Sequence, residues 1–148
     1  MSASVEIQYA ISADDVPNPE LFQTWVEAAI GIETEAELVI RIVDRAESAQ
    51  FNQTYRGIPG PTNVLSFAFE PPPQIKTAYL GDLLICAPLV SKEAHEQGKT
   101  IDTHWAHLVI HGVLHMQGYD HQATDEAARM EACEIEIMAR LGFPNPYE

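Results

Sequence analysis

Hydrophobic positions recur along the chain with two periods, and the switches between them outline the elements. Val5, Ile7, Tyr9 and Ile11 alternate with other residues, so residues 5–11 predict a strand with one apolar face. Asn18-Pro19-Glu20 supplies an N-cap, a proline at the first helical position and an early acid. Leu21, Trp25 and Ala28 or Ala29 then follow at helical spacing to about Ile30, with Gly31 closing the segment. Residues 37–43 are dense in Leu, Val and Ile and predict a mostly buried strand. Residues 44–55 predict a short helix ended by Gly57. Residues 62–69 and 78–86 predict two more strands around a proline-rich connector. Helical patterns cover 88–98, 102–117 and 124–141, the last with Met130, Cys133, Ile137 and Leu141 on its inner face. Strands early and helices late predict an α+β domain, with the strand order left open.

Composition bounds this picture. With 148 residues, 46% of them hydrophobic, one packed domain is expected. The longest apolar run, residues 83–90, contains a proline and is far shorter than the roughly 20 residues of a spanning helix. The N-terminus lacks the basic start and apolar block of a signal peptide, so a cytoplasmic protein without a membrane partner is expected. Cys86 and Cys133 are too few and too far apart for a disulfide framework and read as two reduced, buried thiols. As a sum, the net charge of -14 argues against nucleic acid, but the acid is segregated. Only residues 48–81 carry a net positive charge, with Arg56 and Lys76 against Glu70. A phosphate ligand is therefore compatible with one local patch, and RNA binding there should show a shallow salt dependence.

Four of the 6 histidines, at positions 104, 107, 111 and 115, fall on one predicted helix. His111 and His115 stand one turn apart on the same face, so two imidazoles can reach one ion. Gly118 follows where a left-handed cap turns the chain, leading through Asp120 to His121 as a third ligand. Three histidines with an open fourth position are the arrangement of catalytic rather than structural zinc. The string HGVLHMQGYDH keeps the spacing of the metzincin signature H-E-x-x-H-x-x-G-x-x-H, but Gly112 occupies the slot of the glutamate base. Ligand geometry is kept and peptidase chemistry is not. His107 reads equally as a group behind the ligands or as an ordinary structural histidine; His104 reads as a partly exposed residue near the helix start, and His95 as a polar-face residue.

The same string resembles the H-G-x-L-H-x-x-G-Y-D-H signature of the YbeY family, bacterial zinc-dependent endoribonucleases of ribosomal RNA maturation. YRGIPGPTNVLSF, at residues 55–67, resembles that family's Y-R-x-x-x-x-P-T-[DN]-V-L-S-F block, and LGDLLIC, at 80–86, its G-D-[IL]-x-I block. The resemblance implies a single zincin-like α+β domain over residues 1–148, with a mixed four-stranded sheet packed with about five helices. It implies one zinc ion per chain held by His111, His115 and His121, and makes Arg56 the arginine associated with RNA cleavage. It further implies single-strand-specific cleavage in 16S rRNA 3'-end maturation and ribosome quality control, with the small ribosomal subunit and an associated GTPase or ribosomal protein as partners. Asn63 stands where the family has Asp or Asn, so no carboxylate at that position can be part of the mechanism.

The residues support the arginine independently, since a guanidinium can grip two phosphate oxygens and stabilise charge developing on phosphorus. Asp82, a carboxylate inside an apolar strand, is expected to have a structural partner, as a helix cap or a group orienting a zinc histidine. Asp120 is expected to hold the ligand turn, and Ser66 lacks the context of a nucleophile. The catalytic set is then Arg56, His111 and His115, with His107 and Asp82 as candidates behind the ligands. The proton acceptor is left open among the metal's own hydroxide, His107 and the RNA 2'-hydroxyl. Two other readings follow from the same residues. A metallohydrolase of peptides or other small substrates requires a nearby carboxylate to replace the missing glutamate. A ribosome-assembly factor without intrinsic cleavage would use the metal only as a staple.

Overall fold

The structure, a computed structural model, describes residues 3–14, 16–31, 35–118 and 124–148. Strand β1 (Ala3–Tyr9) leads into helix α1 (Pro19–Ile30), which returns the chain to β2 (Ala36–Val43) alongside β1 and parallel to it. Helix α2 (Arg45–Arg56) follows, then β3 (Val64–Ala68) and β4 (Tyr79–Cys86). Helices α3 (Ala87–Glu96), α4 (Ile101–Met116) and α5 (Thr124–Arg140) complete the described elements. The sheet order is β1-β2-β4-β3, with β4 parallel to β2 and β3 antiparallel to β4 at the edge. The expected α+β domain, with a mixed four-stranded sheet and about five helices, is the architecture found among the described residues.

Local chemistry explains why these elements form. Asn18 Oδ1 accepts from the backbone N–H of Leu21 at 3.0 Å, capping α1 as its sequence predicts. Phe22, Trp25, Val26, Ala29 and Ile30 then form the buried stripe of that helix. Phe22 meets Trp105 of α4 edge-on, with ring centroids 5.5 Å apart. Thr100 caps α4 by accepting from the N–H of Thr103 at 3.1 Å.

Helix α4 runs through the main core and is buried around most of its circumference, from Trp105 and Ala106 to Val113 and Leu114. From the middle turns onward, the stripe His107, His111 and His115 interrupts that burial, each being half-buried. At Gly112 the helix lies against the sheet so closely that a Cβ would collide with the Leu83 side chain of β4 and come within 3.1 Å of Ser66 Oγ of β3. Any side chain at position 112 would therefore have to displace the end of the Leu83 side chain, whereas the glycine that departs from the protease signature fits without a shift.

The opposite face of the sheet is covered by α2, where Val43, Leu65, Leu84 and Cys86 pack with Phe51 and Phe67. Side chains alternate along a strand, so Leu83 faces α4 while Asp82 and Leu84 face the other side. Cys86 is buried, but Cys133 is only half-buried, which corrects the expectation of two buried thiols. No described helix is long and apolar enough to cross a membrane.

Candidate active site

Arg56 is the last residue of α2, and the loop after it is pinned back onto the helix by two buried polar side chains. Ser48, 1% exposed, donates its hydroxyl to the carbonyl of Thr62 at 2.8 Å and accepts the Thr62 N–H at 3.0 Å. Asn52, 2% exposed, donates to the carbonyl of Gly60 at 2.9 Å. Gly57, with φ 68°, takes the left-handed conformation that ends the helix. These bonds set Arg56 beside the lead-in to β3, where a cleft of about 410 Å³ opens. Thr62, Asn63 and Ser66 line it from one side, and His111 and His115 from α4. Residues separated by more than 50 positions in sequence thus share one concave surface. Its described lining contains no carboxylate.

The carboxylate nearest the histidines lies behind them. Glu134 of α5 is 1% exposed and accepts hydrogen bonds from three directions. His107 Nε2 lies 2.7 Å and His111 Nδ1 3.1 Å from its Oε2, while the Tyr147 hydroxyl donates to its Oε1 at 2.6 Å. Burial alone pushes this carboxyl upward, but the bonds from His107, His111 and Tyr147 win and hold it at about 2, ionised at neutral pH. The Tyr147 hydroxyl is correspondingly pushed well above the ordinary phenol range by burial and by the Glu134 carboxylate. Lys99 Nζ, donating to the carbonyl of Pro146 at 3.0 Å, ties the C-terminal residues into this arrangement.

His107, His111 and Glu134 form a group that could hold a metal ion, their ligand atoms lying within 4.8 Å of one another. The same contacts match the second role a carboxylate has at such centres, gripping one imidazole nitrogen while the other binds metal. His121 and Asp120 lie outside the described residues. Asp82 faces the α2 side of the sheet and accepts from the Tyr79 hydroxyl within its own strand. Burial and this bond raise the Tyr79 phenol to about 12. Among the described residues, the carboxylate in contact with His111 is Glu134.

His104 departs from its expected partial exposure and is 4% exposed, because the start of α4 is packed under α3. Its Nε2 lies 2.8 Å from Glu93 Oε1, which also accepts from Asn63 Nδ2 at 2.9 Å. Burial lowers the His104 pKa against the raising effect of that carboxylate. A chain of bonds therefore links the core to Asn63 on the wall of the cleft. His95 is exposed, as its position on a polar face predicts.

Comparison with known proteins places the chain in a family. The family model described as Endoribonuclease YbeY matches residues 7–142, and the chain belongs to that family. Membership implies an endoribonuclease acting in rRNA maturation. The solution structure of TM1509 from Thermotoga maritima shares the fold with a TM-score of 0.58, at 23% sequence identity over 94% of this chain and 92% of that one.

Proposed function

We propose that the chain works as one domain, a zinc-dependent endoribonuclease specific for single strands, with one ion per chain held by His111, His115 and His121. The observation that carries this reading is the meeting of Arg56 with His111 and His115 in a cleft whose described lining has no carboxylate. The donor set fits zinc: two imidazoles one turn apart on a rigid helix, one of them gripped at Nδ1 by a buried carboxylate. When bound, the ion supplies Lewis-acid polarisation of a phosphoryl oxygen.

The chain's own residues do the rest. Glu134 engages Nδ1 of His111, so that Nε2 would be the nitrogen that holds the ion. His107, whose Nε2 is engaged by Glu134, holds that carboxylate in place instead of taking a proton from the nucleophile. Arg56 lays its planar fork on two oxygens of the scissile phosphate and balances the charge that develops there. The described lining offers an arginine for a phosphate and no carboxylate to serve as the base that a water attacking an amide needs, which favours a phosphodiester over a peptide. The biological setting we infer is cytoplasmic 16S rRNA 3'-end maturation and ribosome quality control. The small subunit, with a GTPase or ribosomal protein, delivers the RNA.

The test is cleavage of a single-stranded RNA by zinc-loaded protein, by chelated protein and by His115→Ala, with metal content measured alongside. Cutting that tracks zinc supports the enzyme. Zinc lost from His115→Ala, together with a lower melting temperature but no cleavage by any sample, would favour an assembly factor stapled by its metal.

A further inference from the structure

We infer that Tyr55 is a stacking platform for the nucleobase flanking the phosphate held by Arg56, an inference that rests on the nuclease reading. Tyr55 is 63% exposed, more than any other large hydrophobic side chain among the described residues. It is nevertheless held firmly from below. Its ring stacks on Phe51 one helical turn earlier, with centroids 5.7 Å apart and planes at 12°, and meets Phe67 of β3 edge-on at 5.1 Å and 70°. An exposed aromatic ring braced on two others is an ordered apolar surface that loses little side-chain freedom when a flat partner lands on it.

The location ties this surface to the cleft. Tyr55 precedes Arg56 directly, so their Cα atoms are about 3.8 Å apart. Arg56 lines the cleft on the α4 side of the edge strand, whereas Tyr55 and Phe67 lie on the α2 side. Ser66 and Phe67, adjacent in β3, mark the two sides of that rim. A nucleic acid strand with a phosphate at Arg56 can place the neighbouring base over the rim and onto Tyr55. A base already stacked within a duplex cannot make that move, so the platform selects single strands.

The charge of the molecule makes stacking the affinity term it can use. With a net charge of -14, few phosphates can be neutralised, whereas base stacking on an aromatic ring needs no cation and accepts any base. An alanine in place of such a ring costs on the order of tenfold in binding.

The experiment measures kcat and KM of zinc-loaded wild type, Tyr55→Ala, Tyr55→Phe and Tyr55→Trp on a short single-stranded RNA. The same RNA is also used with one abasic residue walked through each position. Tyr55→Ala should raise KM roughly tenfold while leaving kcat, zinc content and melting temperature near wild type, and Phe or Trp should restore KM. At one abasic position beside the cut, wild type should weaken to the level of Tyr55→Ala, and the difference between them should vanish. An unchanged KM for Tyr55→Ala, or a penalty that persists at every abasic position, overturns the platform while leaving the nuclease intact. Wild type that cuts no RNA overturns the nuclease reading and the platform together.

Discussion

Glu134, 1% exposed, accepts from Nδ1 of His111 at 3.1 Å, so a residue of α5 governs the orientation of an imidazole on α4. Glu134→Gln keeps the shape but removes the charge and leaves an amide N–H₂ facing donors. Zinc affinity, measured by competition with a chromophoric chelator, should fall about 10- to 100-fold. His107→Ala should retain zinc while His115→Ala loses it. The reverse pattern would mean that the ion sits within the His107, His111 and Glu134 group instead.

Gly112 sets a second expectation, because a Cβ there collides with Leu83. Gly112→Ala should destabilise the protein by about 1–3 kcal/mol in urea unfolding. Gly112→Glu should unfold it more severely, without creating a peptidase.

Asn63 donates to Glu93 at 2.9 Å, so Asn63→Asp exchanges a donor for an anion facing an anion. The change should cost about 1–3 kcal/mol near pH 7. Two adjacent carboxylates share a proton readily, so the cost should shrink toward pH 5. Glu93→Gln in the same chain should restore stability, read by urea unfolding of the single and double variants.

His104 contributes a pH dependence of its own. The unfolded chain protonates this ring below about 6.5, whereas burial depresses the folded value despite Glu93. Its stability contribution is complete above that pH and is lost as acidification proceeds through the window down to the folded pKa. In metal-free protein, unfolding free energy should therefore drop less between about pH 7.5 and 5.5 for His104→Gln than for wild type.

Local signals in the chain carried the elements well. Asn18, Pro19 and Gly31 bound α1 as their chemistry predicts, and the four-residue interval from His111 to His115 places both on one cleft. Partners brought together only by tertiary packing were not legible. Glu134 sits four residues after Met130 and four before Met138, an acid within a buried stripe. That position signals a paired carboxylate but not the partner across the helix interface. Asp82 carries a similar signal, and strand alternation sends it to the other face of the sheet. Ser48 and Asn52, which pin the loop behind Arg56, look in sequence like ordinary polar residues of a surface helix.

In the proposed mechanism Arg56 and the histidine-held ion act on one phosphate, which Arg56→Ala tests in a sample whose zinc is counted. One zinc per chain, an unchanged melting temperature and a loss of roughly 100-fold or more in kcat/KM on single-stranded RNA are expected. Cleavage at the wild-type rate by zinc-replete Arg56→Ala would contradict that mechanism.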